Sequence, residues 1–462
     1  MRAFAPLLLA VALAACATGP DYRAQTAAAL AVPDAFENEA AAGVVDAARW
    51  WEQLGDPALS ALVEQAIAGN LDIAVAATRL AQARESLVQA RAGRLPTIAA
   101  DAGVGETIDR SDARTSLSVG ADAAWQADLF GGIGRGIEAA RADAEATFFD
   151  TAAVRTAIIG EVVSNYVQLR LSQQRLQLAR DTLAIADENL EIAGWRVRAG
   201  LVSSLDEEQA RAQRAQTAAA IPAIEQAAAG ARYRLAVLTG QAPGALDALA
   251  APAPIPRGPD AIAVGIPADT LRQRPDLRRA ERNLAAATAR IGVAQAQLYP
   301  ALRLTGSLGT SAFSVGGLVD AVAGSLFAGL SQTLFDGGRL RSQVRGQEAA
   351  AEGALASYRQ AVLTALEDVE NGLVARTAAE QREREFAIAE EAARNTAILA
   401  RSQYRAGLTD FQTLLEAERS LVSARDGVLN ARADRSQALV QLFLALGGGW
   451  EPVAPAFTDL RP

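Results

Sequence analysis

The apolar positions of this chain fall into two periodicities. Leu117, Val119, Ala121, Ala123 and Trp125 alternate with Ser116, Ser118, Gly120, Asp122 and Gln126, and Leu302, Leu304, Gly306 and Leu308 alternate with Arg303, Thr305 and Ser307. A period of two marks strands that are apolar on one side only. The pattern predicts hairpins from strands about 98–106 with 117–126 and 302–310 with 325–334, each strand close to the roughly 9–11 residues that cross a bilayer at a tilt. After each hairpin the period lengthens. From 137 to 199 two ladders run at sevenfold spacing: Val162, Leu169, Leu176, Leu183, Leu190 and Val197, and separately Leu171, Leu178, Ile185 and Ile192. Such a helix extends roughly 95 Å, too far for a compact domain, so it projects. The ladders are offset by two residues, about 200° of rotation, so the helix has a seam on each side and suits a closed ring of helices with left-handed coiling. A second long helix, 340–404, is less regular because Glu383 and Glu390 interrupt it.

The chain repeats itself. Asn70-Leu71-Asp72-Ile73 with Leu95-Pro96 recurs about 204 residues later as Arg274-Pro275-Asp276-Leu277 with Tyr299-Pro300, and Arg198-Ala199-Gly200-Leu201 recurs as Arg405-Ala406-Gly407-Leu408. Between the copies lie Pro243, Pro252, Pro254, Pro256, Pro259 and Pro267, which exclude long helices there. The expected organisation is a signal peptide at 1–15, an anchored N-terminal segment at 16–57, repeat 1 at 58–240, a Pro-rich linker at 241–267, repeat 2 at 268–447 and a tail at 448–462. Each repeat reads as helix (58–94 and 268–298), strand hairpin, long helix, turn and returning helix (205–239 and 411–446). Four strands are too few to close a membrane barrel, whose smallest single-chain forms need about eight, so the chain must oligomerise. Two copies give eight strands and three give twelve; geometry alone does not choose.

Composition sharpens this picture. Of 462 residues half are hydrophobic, 5% are aromatic and none is histidine. The net charge of −9, without a basic stripe, argues against a nucleic-acid partner. Without histidine the usual catalytic triads and histidine-containing zinc sites are excluded, and no cofactor or metal is implied. Gly132, Gly134 and Gly136 follow a strand, yet their spacing is not that of a dinucleotide loop, so they read as a turn. Met1-Arg2 and the apolar run Phe4 to Leu13 form a secretory signal. Leu13-Ala14-Ala15-Cys16 resembles a bacterial lipobox, which makes the sole cysteine, Cys16, an acylated anchor. In the lipoproteins that this start resembles, an aspartate after the cysteine favours the inner membrane, so the likeness with Ala17 at that position implies the outer membrane. No later run of about 18 apolar residues makes a spanning helix, so any spanning element is made of strands.

Taken together, the chain resembles a TolC-type outer membrane factor of the lipoprotein (NodT-type) branch that serves resistance-nodulation-division efflux pumps. The likeness is carried by Cys16-Ala17-Thr18-Gly19-Pro20-Asp21-Tyr22, Trp50-Trp51 with Asp56-Pro57, Arg274 to Arg278 running to Tyr299-Pro300, and Phe335-Asp336-Gly337-Gly338-Arg339. Ala365 to Asn371, Tyr404 to Leu421 and Leu446 to Trp450 add to it. The resemblance implies a mainly α fold with a membrane β-barrel portion: a homotrimer with a twelve-stranded barrel in the outer-membrane lipid, continued by a twelve-helix periplasmic tube. It also implies passive export with a periplasmic adaptor and an inner-membrane transporter, and no enzyme activity. The helix tips at Arg198, Gly200, Leu201 and Val202, and at Arg405, Gly407, Leu408 and Thr409, are the expected adaptor contacts, although turn chemistry alone explains their glycines. Ser204 with Glu207 and Thr409 with Gln412 have capping-box spacing. Glu416, with Asp410, Thr413 and Asp206 nearby, is the expected periplasmic gate; the plainer alternative is a solvated helix surface. A rival reading is a structural lipoprotein whose coiled helices tether the envelope. Nothing in the sequence selects drugs, metals or other small molecules as cargo.

Overall fold

The computed structural model describes residues 18–38, 47–109, 112–259, 267–319 and 322–451. Cys16 and the signal peptide lie outside the described residues. Two helices, α1 (Pro57–Gly69) and α2 (Leu71–Ala92), lead into strands β1 (Thr97–Asp109) and β2 (Asp112–Ala127), followed by α3 (Gly132–Arg198) and α4 (Ser204–Leu238). After the linker the order recurs: α5 (Pro267–Gln273), α6 (Pro275–Ala296), β3 (Ala301–Ala312), β4 (Val322–Ser331), α7 (Arg339–Arg405) and α8 (Phe411–Ala445). The long helices α3 and α7 have 67 residues each, about 100 Å of continuous helix.

Several boundaries differ from the sequence reading for identifiable reasons. The first helix of repeat 1 is two, because the Asn70 carboxamide accepts from the amides of Asp72 (2.8 Å) and Ile73 (3.1 Å) and donates to the Leu238 carbonyl (2.9 Å). That break also answers a composition test: Pro57–Ala92 contains a stretch apolar enough for a membrane span, contrary to the sequence reading, but it is two helices rather than one. In repeat 2, Pro275 forces the equivalent break between α5 and α6, with Arg274 extended before it. The long helix starts at Gly132 rather than 137. The Asp128 carboxylate accepts from the amides of Ile133 (3.0 Å) and Gly134 (2.7 Å), filling with a side chain the place a phosphate takes in a dinucleotide loop. Asp336 does the same for Gly338 (2.9 Å) and Leu340 (2.8 Å) in repeat 2, and these N–H donors hold its carboxyl below the usual carboxylate range. Strand β4 ends at Ser331, leaving Leu334 and Phe335 beyond it and about nine-tenths exposed.

The four strands form one antiparallel sheet in sequence order, β1-β2-β3-β4. The main core sits midway along the helices, where Trp50, Trp51 and Leu59 meet Ile159, Tyr166 and Phe443. The Tyr166 hydroxyl donates to Asp56 (2.6 Å) and accepts from Arg170 (2.9 Å). Burial, reinforced by Asp56, pushes that hydroxyl up to about 12, so it stays a donor. Arg170, Gln173 and Gln174 donate to the linker carbonyls of Ala251, Leu249 and Ala253, which clamps the Pro-rich segment onto α3.

The segment preceding the core runs along the helices as a strap. Thr18 donates to the Phe130 carbonyl from both its amide and its hydroxyl (3.1 and 2.9 Å). Arg135, almost buried, donates to the carbonyls of Thr18 and Gly19 and pairs with Asp21 (2.6 Å) and Glu138 (2.7 Å). Further along, Tyr22 donates to Glu281 (3.1 Å), and Leu30 packs among Leu271, Leu277, Val362 and Ala365.

Candidate functional site

The sheet has two chemically different faces. Register places Ala102, Val119 and Thr310 side by side, then Ala100, Ala121 and Leu308, then Leu304 between Trp125 and Ala328, with Leu326 and Leu330 continuing the apolar face on β4. Ile98, Val104, Leu326 and Leu330 stand exposed on it. The opposite face carries Asp101, Gly103, Ser118, Gly120, Asp122, Ser307, Gly309 and Ser325, with the Ser307 and Ser325 hydroxyls 2.7 Å apart. An apolar side toward lipid and a side of small polar residues toward water is the pattern of a barrel with an open lumen. Among the described residues β1 and β4 each pair on one side only, so the sheet keeps two open edges.

At the far end each long helix stops in the same way. Gly200 (φ +71°) and Gly407 (φ +75°) take the left-handed conformation, while the amides of Leu201 and Leu408 donate back to the carbonyls of Arg196 and Gln403 (2.9 Å each). Leu201 and Leu408 are 69% and 79% exposed, uncovered by any of the described residues. Arg198 and Arg405 are also exposed, and Val202 and Thr409 are half-buried. The returning helices are capped one residue away from the predicted positions. Ser203 accepts from Leu205 (3.0 Å), and Asp410 accepts from the Thr413 amide (2.8 Å) and hydroxyl (2.6 Å). These bonds lower the Asp410 carboxyl below its ordinary range and give Asp410 and Thr413 a capping role at this tip.

Glu416 is exposed, and among the described residues its hydrogen bond is to its own helix, accepting from Gln412 (3.1 Å). Glu418, two residues on, is the acid that the wall engages: it accepts from Asn189 of α3 (2.7 Å) and pairs with Arg401 of α7 (2.9 Å). Other ties join the two hairpins along the same line. Arg175 grips Asp426 (2.8 and 3.1 Å) and Asn430 (2.7 Å), Arg405 pairs with Glu188 (2.5 Å), and Arg419 reaches Gln213 (2.6 Å). Arg196 stacks over the Tyr404 ring (4.5 Å) and donates to its carbonyl (3.0 Å). Burial raises the Tyr404 hydroxyl above its ordinary value, Arg196 opposes that shift, and Asp206 adds to it. These ties border a cleft of about 560 Å³ between α3, α4 and α8, lined by Leu178, Ile224, Phe411, Leu415 and Val422. The sequence reading missed them. The available signal was an acid on an apolar stripe: Glu418 continues the buried series Phe411, Leu414, Leu415 at helical spacing.

A one-sided sheet that runs directly into helices of about 100 Å, duplicated and open at both edges, fits an envelope-crossing channel rather than a compact enzyme domain. The comparisons agree. The model of the outer membrane efflux protein family matches residues 62–241 and 266–448. Nodulation protein T of Rhizobium leguminosarum bv. trifolii is 32% identical, covering 96% of this chain and 97% of its own. The pyoverdine export outer membrane protein OpmQ of Pseudomonas aeruginosa is also 32% identical, over 95% of each chain. Among solved structures, the outer-membrane channel OprN superposes with a TM-score of 0.84 at 36% identity, covering 95% of this chain and 100% of that one. The open-state MtrE channel of Neisseria gonorrhoeae gives 0.83 at 26% identity, covering 94% and 99%.

The chain belongs to the outer membrane efflux protein family. It is an outer-membrane exit channel with a large helical periplasmic portion, and it works without catalysis.

Proposed function

We propose that three copies close into a twelve-stranded barrel continued by a twelve-helix tube, and that this duct passively conducts small molecules delivered by a periplasmic adaptor and an inner-membrane transporter of the resistance-nodulation-division type. The observation that carries the reading is the pair of open edges on a sheet with one lipid-compatible face. Unpaired strand edges are not tolerated in hydrocarbon, so β1 of one copy must meet β4 of the next. A tether has no use for such a sheet. A stripe of Ser342, Gly346, Ala349 and Gly353 on exposed α7 supports close approach of a neighbouring helix, since a Cβ at Gly346 or Gly353 meets nothing within the protomer. The purified protein is expected to run as a trimer and to form pores in planar bilayers; a monomer without pores sinks the reading.

In this reading the helix tips at Arg198, Gly200, Leu201 and Val202, and at Arg405, Gly407, Leu408 and Thr409, meet the adaptor. Glu416, with Asp206, Asp410 and Thr413 nearby, belongs to the region that closes the periplasmic end. Cys16 carries the acyl anchor. The strap supports this: Thr18, two residues further along the chain, is pinned at the base of the sheet by its two bonds to the Phe130 carbonyl. Replacing Cys16 with alanine is expected to abolish incorporation of labelled palmitate while trimers still assemble, with a smaller share in the outer-membrane fraction. Undiminished labelling would show that the acylated atom lies elsewhere.

A further inference from the structure

We propose that each seam between protomers holds the headgroup of an anionic phospholipid from the periplasmic leaflet, gripped by Arg341 and Arg345 of one copy and Arg94 of the partner subunit. The inference rests on the ring assembly proposed above. It begins from three exposed arginines, Arg94, Arg341 and Arg345, that make no ion pair among the described residues. Their positions in the fold bring them together. Arg94 lies between α2 and the edge strand β1, and Arg341 and Arg345 lie in the opening turns of α7, which follows the other edge strand, β4. Joining β4 to the next copy's β1 therefore sets these residues at the foot of one seam.

The depth is right for a headgroup. Leu334 and Phe335, almost wholly exposed, mark the lower edge of the apolar band just before α7. At 1.5 Å per residue, Arg341 and Arg345 lie within about 10 Å of the α7 start, the scale of a headgroup layer. The side is right too. Leu340 and Val344 are buried against the copy's own helices, and Arg341 and Arg345 follow each by one residue, about 100° further round. Counted from the N-cap glycines Gly131 and Gly338, Arg345 holds in repeat 2 the position that Glu138 holds in repeat 1. Glu138 pairs with the arginine that grips the strap, and the strap follows Cys16, the anchor proposed above, which assigns this face to the outer side of the wall.

The local acids leave the cluster cationic. Asp128, which lies with the Arg94 guanidinium beside Gly134, is engaged by the amides of Ile133 and Gly134, Asp336 by those of Gly338 and Leu340, and Glu348 and Glu352 lie one to two turns further from the membrane. A phosphodiester accepts from several guanidinium groups at once, and it removes the repulsion that would otherwise oppose closing the seam. Assembly and lipid composition are then linked.

The test is native mass spectrometry of the full-length protein with equal amounts of phosphatidylglycerol and phosphatidylcholine. The expected result is a trimer retaining phosphatidylglycerol at about tenfold or greater preference, undisturbed by millimolar inorganic phosphate. The Arg341→Gln, Arg345→Gln double variant should keep the trimer mass and lose the preference. Equal retention of both lipids by the wild-type trimer overturns the proposal without needing any variant, as does displacement by free phosphate or an unchanged preference in the double variant. Absence of a trimer in every lipid overturns the assembly reading beneath it.

Discussion

A Glu418→Ala channel is expected to leak, and more so than Glu416→Ala. The two acids are two residues apart on α8, about 200° of rotation, and the wall treats them differently. Glu416 faces solvent and, among the described residues, holds Gln412 of its own helix. Glu418 is 15% exposed and joins α3 through Asn189 to α7 through Arg401. Its removal strands the nearly buried Asn189 carboxamide and leaves Arg401 without its carboxylate. Leaving such groups unmatched costs about 1–3 kcal/mol. That is roughly a five- to 150-fold change in any equilibrium that depends on the two hairpins staying together. Single-channel recording in planar bilayers measures it as open fraction. A silent Glu418→Ala beside a leaky Glu416→Ala would move the closure from the ties within each wall to a carboxylate ring in the lumen.

The contrast between these acids also marks where the sequence stops being legible. The hairpins could be read because a sheet between lipid and water imposes strict alternation on adjacent residues, and the duplication because both copies end the long helix in the same turn, Arg198-Ala199-Gly200-Leu201 and Arg405-Ala406-Gly407-Leu408. The cap positions were off by one since Ser203 and Ser204, like Thr409 and Asp410, both offer a side-chain acceptor. Spacing to Glu207 or Gln412 favoured the wrong member, and the backbone geometry decided for the other. The strap could not be foreseen at all. Its partners, Phe130, Arg135 and Glu281, lie more than a hundred residues away and satisfy single polar groups rather than a repeating pattern. Glu418 failed for a related reason: on a helical wheel a lone acid on an apolar stripe looks like an interruption, and only the facing Asn189 and Arg401 turn it into a joint.

The second large effect concerns stability and discriminates between two substitutions at one site. Trp50 is wholly buried, stacks on Phe443 at 5.2 Å and meets the edge of Trp51 at 6.3 Å. It also lies so close to Gly448 that a Cβ there would come within 2.8 Å of its ring. Truncation to alanine opens a cavity at the junction of both repeats and the N-terminal segment, and should cost about 3–5 kcal/mol. Trp50→Phe behaves differently. The Trp50 indole N–H is buried without a hydrogen-bond partner among the described residues, a defect worth about 1–3 kcal/mol that phenylalanine removes. The smaller ring gives up part of the packing in exchange, so the two changes largely offset. Urea midpoints at matched protein concentration are therefore expected to fall steeply for Trp50→Ala and little for Trp50→Phe. An equal fall for both would mean that indole packing alone, with no contribution from the stranded N–H, sets the stability of this core.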